Sequence, residues 1–170
     1  RITGPEGYVT TSYFADGRES HEYSWNTSAL ANGTYTIRFE ARDAAGNKDS
    51  GSVQDIRVVV DNTKGTTVVN TPFENALVRE DFTVSAVSSD EQTGIVRGVA
   101  NLYKADNTLL KTCYNQTLVT AEQSHEFSCT VDVDELADGD YYLRVNAADR
   151  AGNITNTVTR NFTVDTAGPS

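Results

Sequence analysis

Methionine is missing from the 170 residues, tryptophan occurs once, proline three times and cysteine twice, and 14 basic side chains face 24 acidic ones. With no Met and Arg1 in first place, the sequence is expected to be a piece of a longer product. No apolar run approaches the roughly 18 residues that a membrane helix needs, and no charged-then-apolar opening resembles a signal peptide, so no membrane insertion is expected of this segment. A net charge of −10 repels phosphate backbones and anionic headgroups, which removes nucleic acid from the expected partners. The same acidic groups suit divalent cations. An acidic composition rich in Thr, Asn and Gly points to an exported chain, extracellular or at the cell surface, and 38% hydrophobic residues suffice for a core.

Cys113 and Cys129 form no C-x-x-C pair and have no histidine spacing suited to zinc. They fall on two successive expected strands, and a structural disulfide is the natural reading. Closing a loop of about 15 residues stabilises by roughly 3 kcal/mol in the chain-entropy account. Two buried free thiols are the other reading; a bridge would imply an oxidising compartment.

Self-similarity carries most of the information. Residues 30–47 match residues 136–153 at an offset of 106, through Leu-Ala-(Asn/Asp)-Gly, an inward tyrosine, and Asp-x-Ala-Gly-Asn. Ser20-His-Glu-Tyr-Ser24 matches Ser124-His-Glu-Phe-Ser128, and Val60-Asp61 matches Val164-Asp165, both at an offset of 104. Solenoid units run about 20 to 45 residues, so a longer period of this kind implies one whole domain per copy. Residues 1–62 then correspond to roughly 105–166 of the second copy, which leaves the first domain without its opening strands.

Alternation of period two marks the strands. Tyr35, Ile37, Phe39 and Ala41 share one face, and Tyr141, Leu143, Val145 and Ala147 repeat it. Asn32-Gly33 and Asp138-Gly139 are turn dipeptides ahead of these strands; Asp43 to Asn47 and Asp149 to Asn153 supply the reversals after them. Last strands are expected at 56–60 and 157–164, and others near 67–69, 82–87, 96–103, 109–114 and 125–131. Nothing reads as helix. About seven short strands in about 100 residues is the pattern of an immunoglobulin-like β-sandwich. The predicted architecture is all-β, with a partial domain at 1–62, a linker at 63–66 and a complete domain at 67–170. Tyr35 and Tyr141 stand where a tyrosine corner would anchor a hydroxyl to upstream backbone, or where they would simply fill core.

The combination of Trp25-Asn-Thr-Ser-x-Leu30-x-Asn-Gly-Thr-Tyr35, Ala41-x-Asp-Ala-Ala-Gly-Asn47 and Val58-x-Val-Asp61-Asn-Thr63 resembles bacterial Ig-like repeats of large cell-surface and adhesin-type proteins, as does Phe162-Thr-Val-Asp-Thr166. The resemblance implies stalks, spacers or adhesive domains. The cysteine pair and the change from Trp25 to Val131 depart from the repeat.

Some modules of this kind bind calcium at domain junctions. Here Asp61 stands beside the linker, Asp90 and Glu91 fall in the expected loop between the second and third strands, and Asp149 opens the last turn, so these four are the expected cation ligands. Asx capping of turns and plain solvation are the other reading. His21 and His125 occupy equivalent positions a domain apart and are expected to be exposed strand residues. Asp132, Asp134, Glu135, Asp138 and Asp140 crowd one corner without the facing arrangement of a glycosidase pair, and no catalytic motif is present, so no enzyme is expected. Sequons at Asn26, Asn32, Asn115, Asn153 and Asn161 leave glycosylation open. Tyr13, Tyr103, Tyr114 and Tyr142 offer either cross-strand packing or a sugar-stacking surface. The expected role is an extracellular structural or adhesive module whose partners are neighbouring Ig-like domains of the same chain. The alternatives are a filament subunit using β-strand complementation between subunits, and a carbohydrate-binding accessory module of a secreted enzyme that takes a cell-surface or glycan ligand.

Overall fold

A computed structural model of the protein describes residues 1–14, 21–48, 51 and 53–168; Ser20, the first residue of one repeated stretch, lies outside them. The chain forms two compact units, Arg1–Thr63 and Lys64–Ser170. No α-helix occurs among the described residues.

In the first unit, β1 (Ile2–Thr3), β2 (Val9–Thr10), β3 (Gly33–Phe39) and β4 (Gln54–Val60) make one antiparallel sheet in the order β2-β1-β3-β4. A 3-10 turn at Pro5–Gly7 joins the first two. Ile2, Tyr35 and Val60 are its buried core, with Tyr8, Trp25, Leu30 and Ile37 packed against them. Trp25 stacks edge-on against Tyr35 at 5.1 Å between ring centroids, and its indole N–H donates to the Tyr8 hydroxyl at 3.2 Å. The Tyr35 ring lies so close over Gly4 that a Cβ there would overlap it.

The second unit is a two-layered sandwich. Its strands are β5 (Thr66–Thr71), β6 (Ala76–Val78), β7 (Phe82–Ser89), β8 (Ile95–Lys104), β9 (Leu109–Glu122), β10 (Ser124–Val131), β11 (Gly139–Asp149) and β12 (Val158–Val164). One sheet runs β10-β7-β5 and the other β6-β12-β11-β8-β9, with only the β6-β12 pair parallel. Along β11 the side chains of Tyr141, Leu143, Val145 and Ala147 are buried, and the first three share a core with Val69, Val84, Ala86, Phe127 and Val131 from the facing sheet. Period-two alternation lets one sequence wet one face and bury the other.

Both expected tyrosine corners form. Tyr35 donates its hydroxyl to the Ala31 carbonyl at 2.8 Å, and Tyr141 to Ala137 at 2.7 Å. The exit of each last strand is held alike: Asn62 N–H donates to Asn32 Oδ1 at 2.8 Å, and Thr166 N–H to Asp138 Oδ1 at 2.9 Å. The cysteines are bonded, with Cα atoms 5.9 Å apart. Strands β9 and β10 follow each other in the chain but edge different sheets, so the bridge clips the two layers together at one side of the sandwich.

Several expectations change. Strand β5 begins at Thr66, inside the expected linker, so the connection from β4 spans residues 61–65. Ile2 pairs with Ile37 as Leu102 pairs with Leu143, so Ile2 stands in the first unit where Leu102 stands in the second. Residues 21–24 carry no strand, although their counterparts lie in β10. The reason is pairing: β10 is held by β7, and no counterpart of β7 occurs among the described residues of the first unit. Strand β6 adds an eighth strand, and β9 runs on to Glu122 through a wide bulge between the pairs Arg97↔Thr117 and Ile95↔Glu122.

Two consequences are measurable. Replacing both Cys113 and Cys129 by Ser should lower the unfolding free energy of the second unit by about 3 kcal/mol, read by denaturant titration. Removing the corner hydroxyl with Tyr141→Phe should cost about 1 kcal/mol while leaving the circular dichroism spectrum unchanged.

Candidate functional site

The loops that close one end of the second unit's sandwich gather its buried acids. Asp90 follows β7 directly, and its Oδ1 accepts the N–H groups of Thr93 and Gly94, each at 2.8 Å. Gly94 takes φ +78° to close this turn, a conformation that costs glycine little. Asp149 ends β11. Its Oδ1 accepts Asn153 N–H at 2.8 Å and its Oδ2 accepts the Asn153 side-chain amide at 2.8 Å, while Asp149 N–H donates to Asn153 O at 3.0 Å. Arg150 N–H donates to Gly94 O at 2.9 Å and ties the two loops to each other.

Beneath the loops runs a chain of hydroxyls that sequence reasoning missed. Thr67 Oγ1 lies 2.8 Å from both Ser88 Oγ and Thr155 Oγ1, and Thr155 Oγ1 accepts Ala147 N–H at 2.9 Å. Ser88 and Thr155 are buried, and each pairs within the chain as buried hydroxyls must. The sequence signal is faint: Ser88 stands two places before Asp90 and Thr155 six places after Asp149, where alternation alone reads turn edges.

The structure brings Asp90 and Asp149 together: carboxylate oxygens of the two lie within 4.8 Å of each other, on residues 5% and 2% exposed. The ion pairs described in this unit, Lys111 with Glu135, Arg160 with Glu74 and Arg79 with Glu80, lie elsewhere. Two carboxylates held this close repel each other, and a cation between them offsets that repulsion. Their free lone pairs, after the N–H groups are counted, are hard oxygen donors of the kind calcium takes. Glu91 is exposed and stands outside this group. Asp61 belongs to the first unit, where its Oδ1 accepts Thr63 N–H at 3.0 Å and the Asn32 amide at 3.2 Å.

The Asx capping read from the sequence is also present. Asp43 of the first unit repeats the Asp149 turn bond for bond, accepting Asn47 N–H at 2.8 Å and the Asn47 amide at 2.8 Å. These bonds hold the Asp43 carboxyl below its ordinary 3.8, the Asn47 side chain contributing most. Thr166 does the same to Asp138, chiefly through its backbone N–H. His125, part of an exposed strand in the sequence reading, is in fact half-covered: its ring lies 2.8 Å from Glu122 Oε2 and 3.1 Å from the Tyr114 hydroxyl. Tyr142 is buried against its strand partner Tyr103, the rings stacked at 5.1 Å, with the Arg144 guanidinium 5.1 Å from the Tyr142 ring and the Tyr142 hydroxyl donating to Asn107 at 2.6 Å.

Carboxyls whose folded pKa is depressed add stability above their unfolded pKa and lose it as pH falls through the lower folded value. Thermal melting should therefore be level from neutral pH down to about 5 and fall below about 4. Asp43→Asn should make that acid limb shallower.

The chain matches two family models. Residues 80–166 match "Bacterial Ig-like domain", and residues 19–100 match "Bacterial Ig-like domain (group 3)". No curated protein sequence matches it. Among solved structures it is similar to the fibronectin(III)-like modules of Clostridium thermocellum CbhA, at 19% identity and TM-score 0.43 over 80% of this chain and 64% of that one. An endo-beta-1,4-mannanase from Thermotoga petrophila aligns at 11% identity and TM-score 0.45, over 63% and 21%. The SrpA adhesin R347E mutant from Streptococcus sanguinis aligns at 15% and TM-score 0.35, over 61% and 59%. The chain thus spans under two thirds of the length of each of these structures. Through the match over half its length, and with a sandwich of the corresponding architecture, the chain belongs to the bacterial Ig-like domain family.

Proposed function

We propose that this chain is a non-catalytic structural or adhesive module of an extracellular or cell-surface protein, in which stacked sandwiches act as a stalk or spacer. The observation that carries the reading is repetition of the same corner and exit clamp in both units, joined by the five residues 61–65 between β4 and β5. A short connection restricts bending between modules. The disulfide agrees with an oxidising location outside the cytoplasm. Antibody raised against the second unit should label intact, unpermeabilised cells of the host. Label that appears only after lysis would count against the reading.

A filament subunit is the second reading. It is favoured by the first unit's sheet, which has no facing sheet among the described residues and leaves Ile56, Val59 and Phe39 about half exposed. Concentration-dependent polymers in sedimentation would support strand complementation between subunits. The carbohydrate-binding reading has less support, because the Tyr142 ring is covered by Tyr103 and Arg144.

The proposal includes calcium. Asp90 and Asp149 would hold it by hard oxygen donation and relieve their mutual repulsion, fixing the loops at this end of the sandwich. For an affinity of about 10⁻⁴ M, about 10 mM calcium should stabilise by roughly 2.7 kcal/mol, a rise in Tm on the order of 10 °C. EDTA should reverse the rise and Asp149→Asn should abolish it. Identical melting with calcium and with EDTA would remove the cation from the account.

A further inference from the structure

The two units differ at one corner in a way that leaves a socket in the second. Ser28 N–H donates to Asn26 Oδ1 at 3.0 Å, and Asp134 N–H to Asp132 Oδ1 at 3.0 Å; Leu30 N–H donates to Thr27 O, and Leu136 N–H to Val133 O. These paired bonds fix the equivalence of the two corners residue by residue, and the residue before each cap is Trp25 in one unit and Val131 in the other. In the first unit the indole packs against the cluster of Ile2, Tyr35 and Val60 and is held by Tyr8. Val131 cannot reach as far, and an open cavity of about 180 Å³ lies beside it.

Its floor is Leu102 and Val131, each 1% exposed, and its walls are Leu110 and Leu136. Leu102 is the counterpart of Ile2, and Leu136 of Leu30, so the cavity lies at the corner where the first unit carries its indole. The rim carries Asp132 and Glu135 against one cation, Lys111, which lies 3.6 Å from Glu135. Asp132 has spent one oxygen on its cap, which leaves the rim with a surplus of negative charge.

The geometry points to a docking socket for one aromatic side chain of a partner polypeptide, flanked there by lysine or arginine. The volume is below the roughly 300 Å³ at which drug-sized ligands are accommodated, and it suits a single ring. The indole in the sister unit shows which shape this corner accommodates, and the acidic rim selects a cationic neighbour. Aromatic anchors seated in small pockets carry much of the energy of protein interfaces, and the charged rim sets which partner is accepted. The inference is independent of the spacer reading, since a stalk or a filament would carry the socket equally.

The test is a titration of the isotope-labelled 170-residue chain, followed by amide NMR, with three capped tripeptides: Lys-Trp-Lys, Glu-Trp-Glu and Lys-Ala-Lys. Lys-Trp-Lys should give saturable shifts centred on Leu110, Val131 and Leu136, with an affinity about tenfold tighter than Glu-Trp-Glu, and Lys-Ala-Lys should give none there. Val131→Trp should fill the socket from within and abolish the response. If that variant does not fold, Leu110→Arg, at a half-exposed wall position, should abolish it by charge. Absence of saturation, equal responses to Lys-Trp-Lys and Lys-Ala-Lys, equal affinity for the cationic and acidic peptides, or binding that survives the folded variants would each overturn the proposal.

Discussion

A buried tyrosine hydroxyl donated to the carbonyl four residues upstream is the contact on which each unit is built. The ring of Tyr35 or Tyr141 fills the centre of a core whose other members are mostly aliphatic. Its hydroxyl needs a partner once it leaves water, and the Ala31 or Ala137 carbonyl supplies it. That bond fixes the corner before the penultimate strand. The corner sets the strand's register, the register decides which face is buried, and a shift of one residue would turn Leu143 and Val145 outward. The exit clamp by Asn32 or Asp138 leans on the same corner, so the path by which the chain leaves each unit's last strand is fixed there.

Much of this was legible in the residues themselves. Tyr35 and Tyr141, the glycines after Asn32 and Asp138, and the Asp-to-Asn turn signals sit at fixed spacings because each does one local job, and local jobs leave local marks. The three residues of β6 left none: they form a strand only because β12 lies parallel beside them. The stretch at 21–24 shows the converse, since its pattern is that of a strand but pairing is a property of the neighbour. For the cysteines, sequence spacing located the bond and was silent on which sheets it would join.

The candidate cation site was legible in part. Asp90 and Asp149 were named because loops at one end of a sandwich converge, and they do converge. Glu91 follows Asp90 in the chain but points to water, because Asp90 turns inward to cap Thr93 and Gly94 and its neighbour is carried to the opposite side. The hydroxyl chain through Thr67, Ser88 and Thr155 escaped notice because small polar residues on an inward face look like errors of alternation until their partners are seen. The socket beside Val131 escaped for a related reason, since a missing indole is visible in the alignment of the two copies but becomes a cavity only when its surroundings hold their positions.

The bridge between Cys113 and Cys129 reaches beyond equilibrium stability. A module of a stalk is pulled from its two ends, and the 16 residues of separation between the cysteines are bypassed by the covalent bond. Under load the oxidised second unit would therefore pay out less chain than its length suggests, by on the order of 50 Å at about 3.5 Å per residue. A surface protein built from such modules would have its maximum reach set by the redox state of its surroundings.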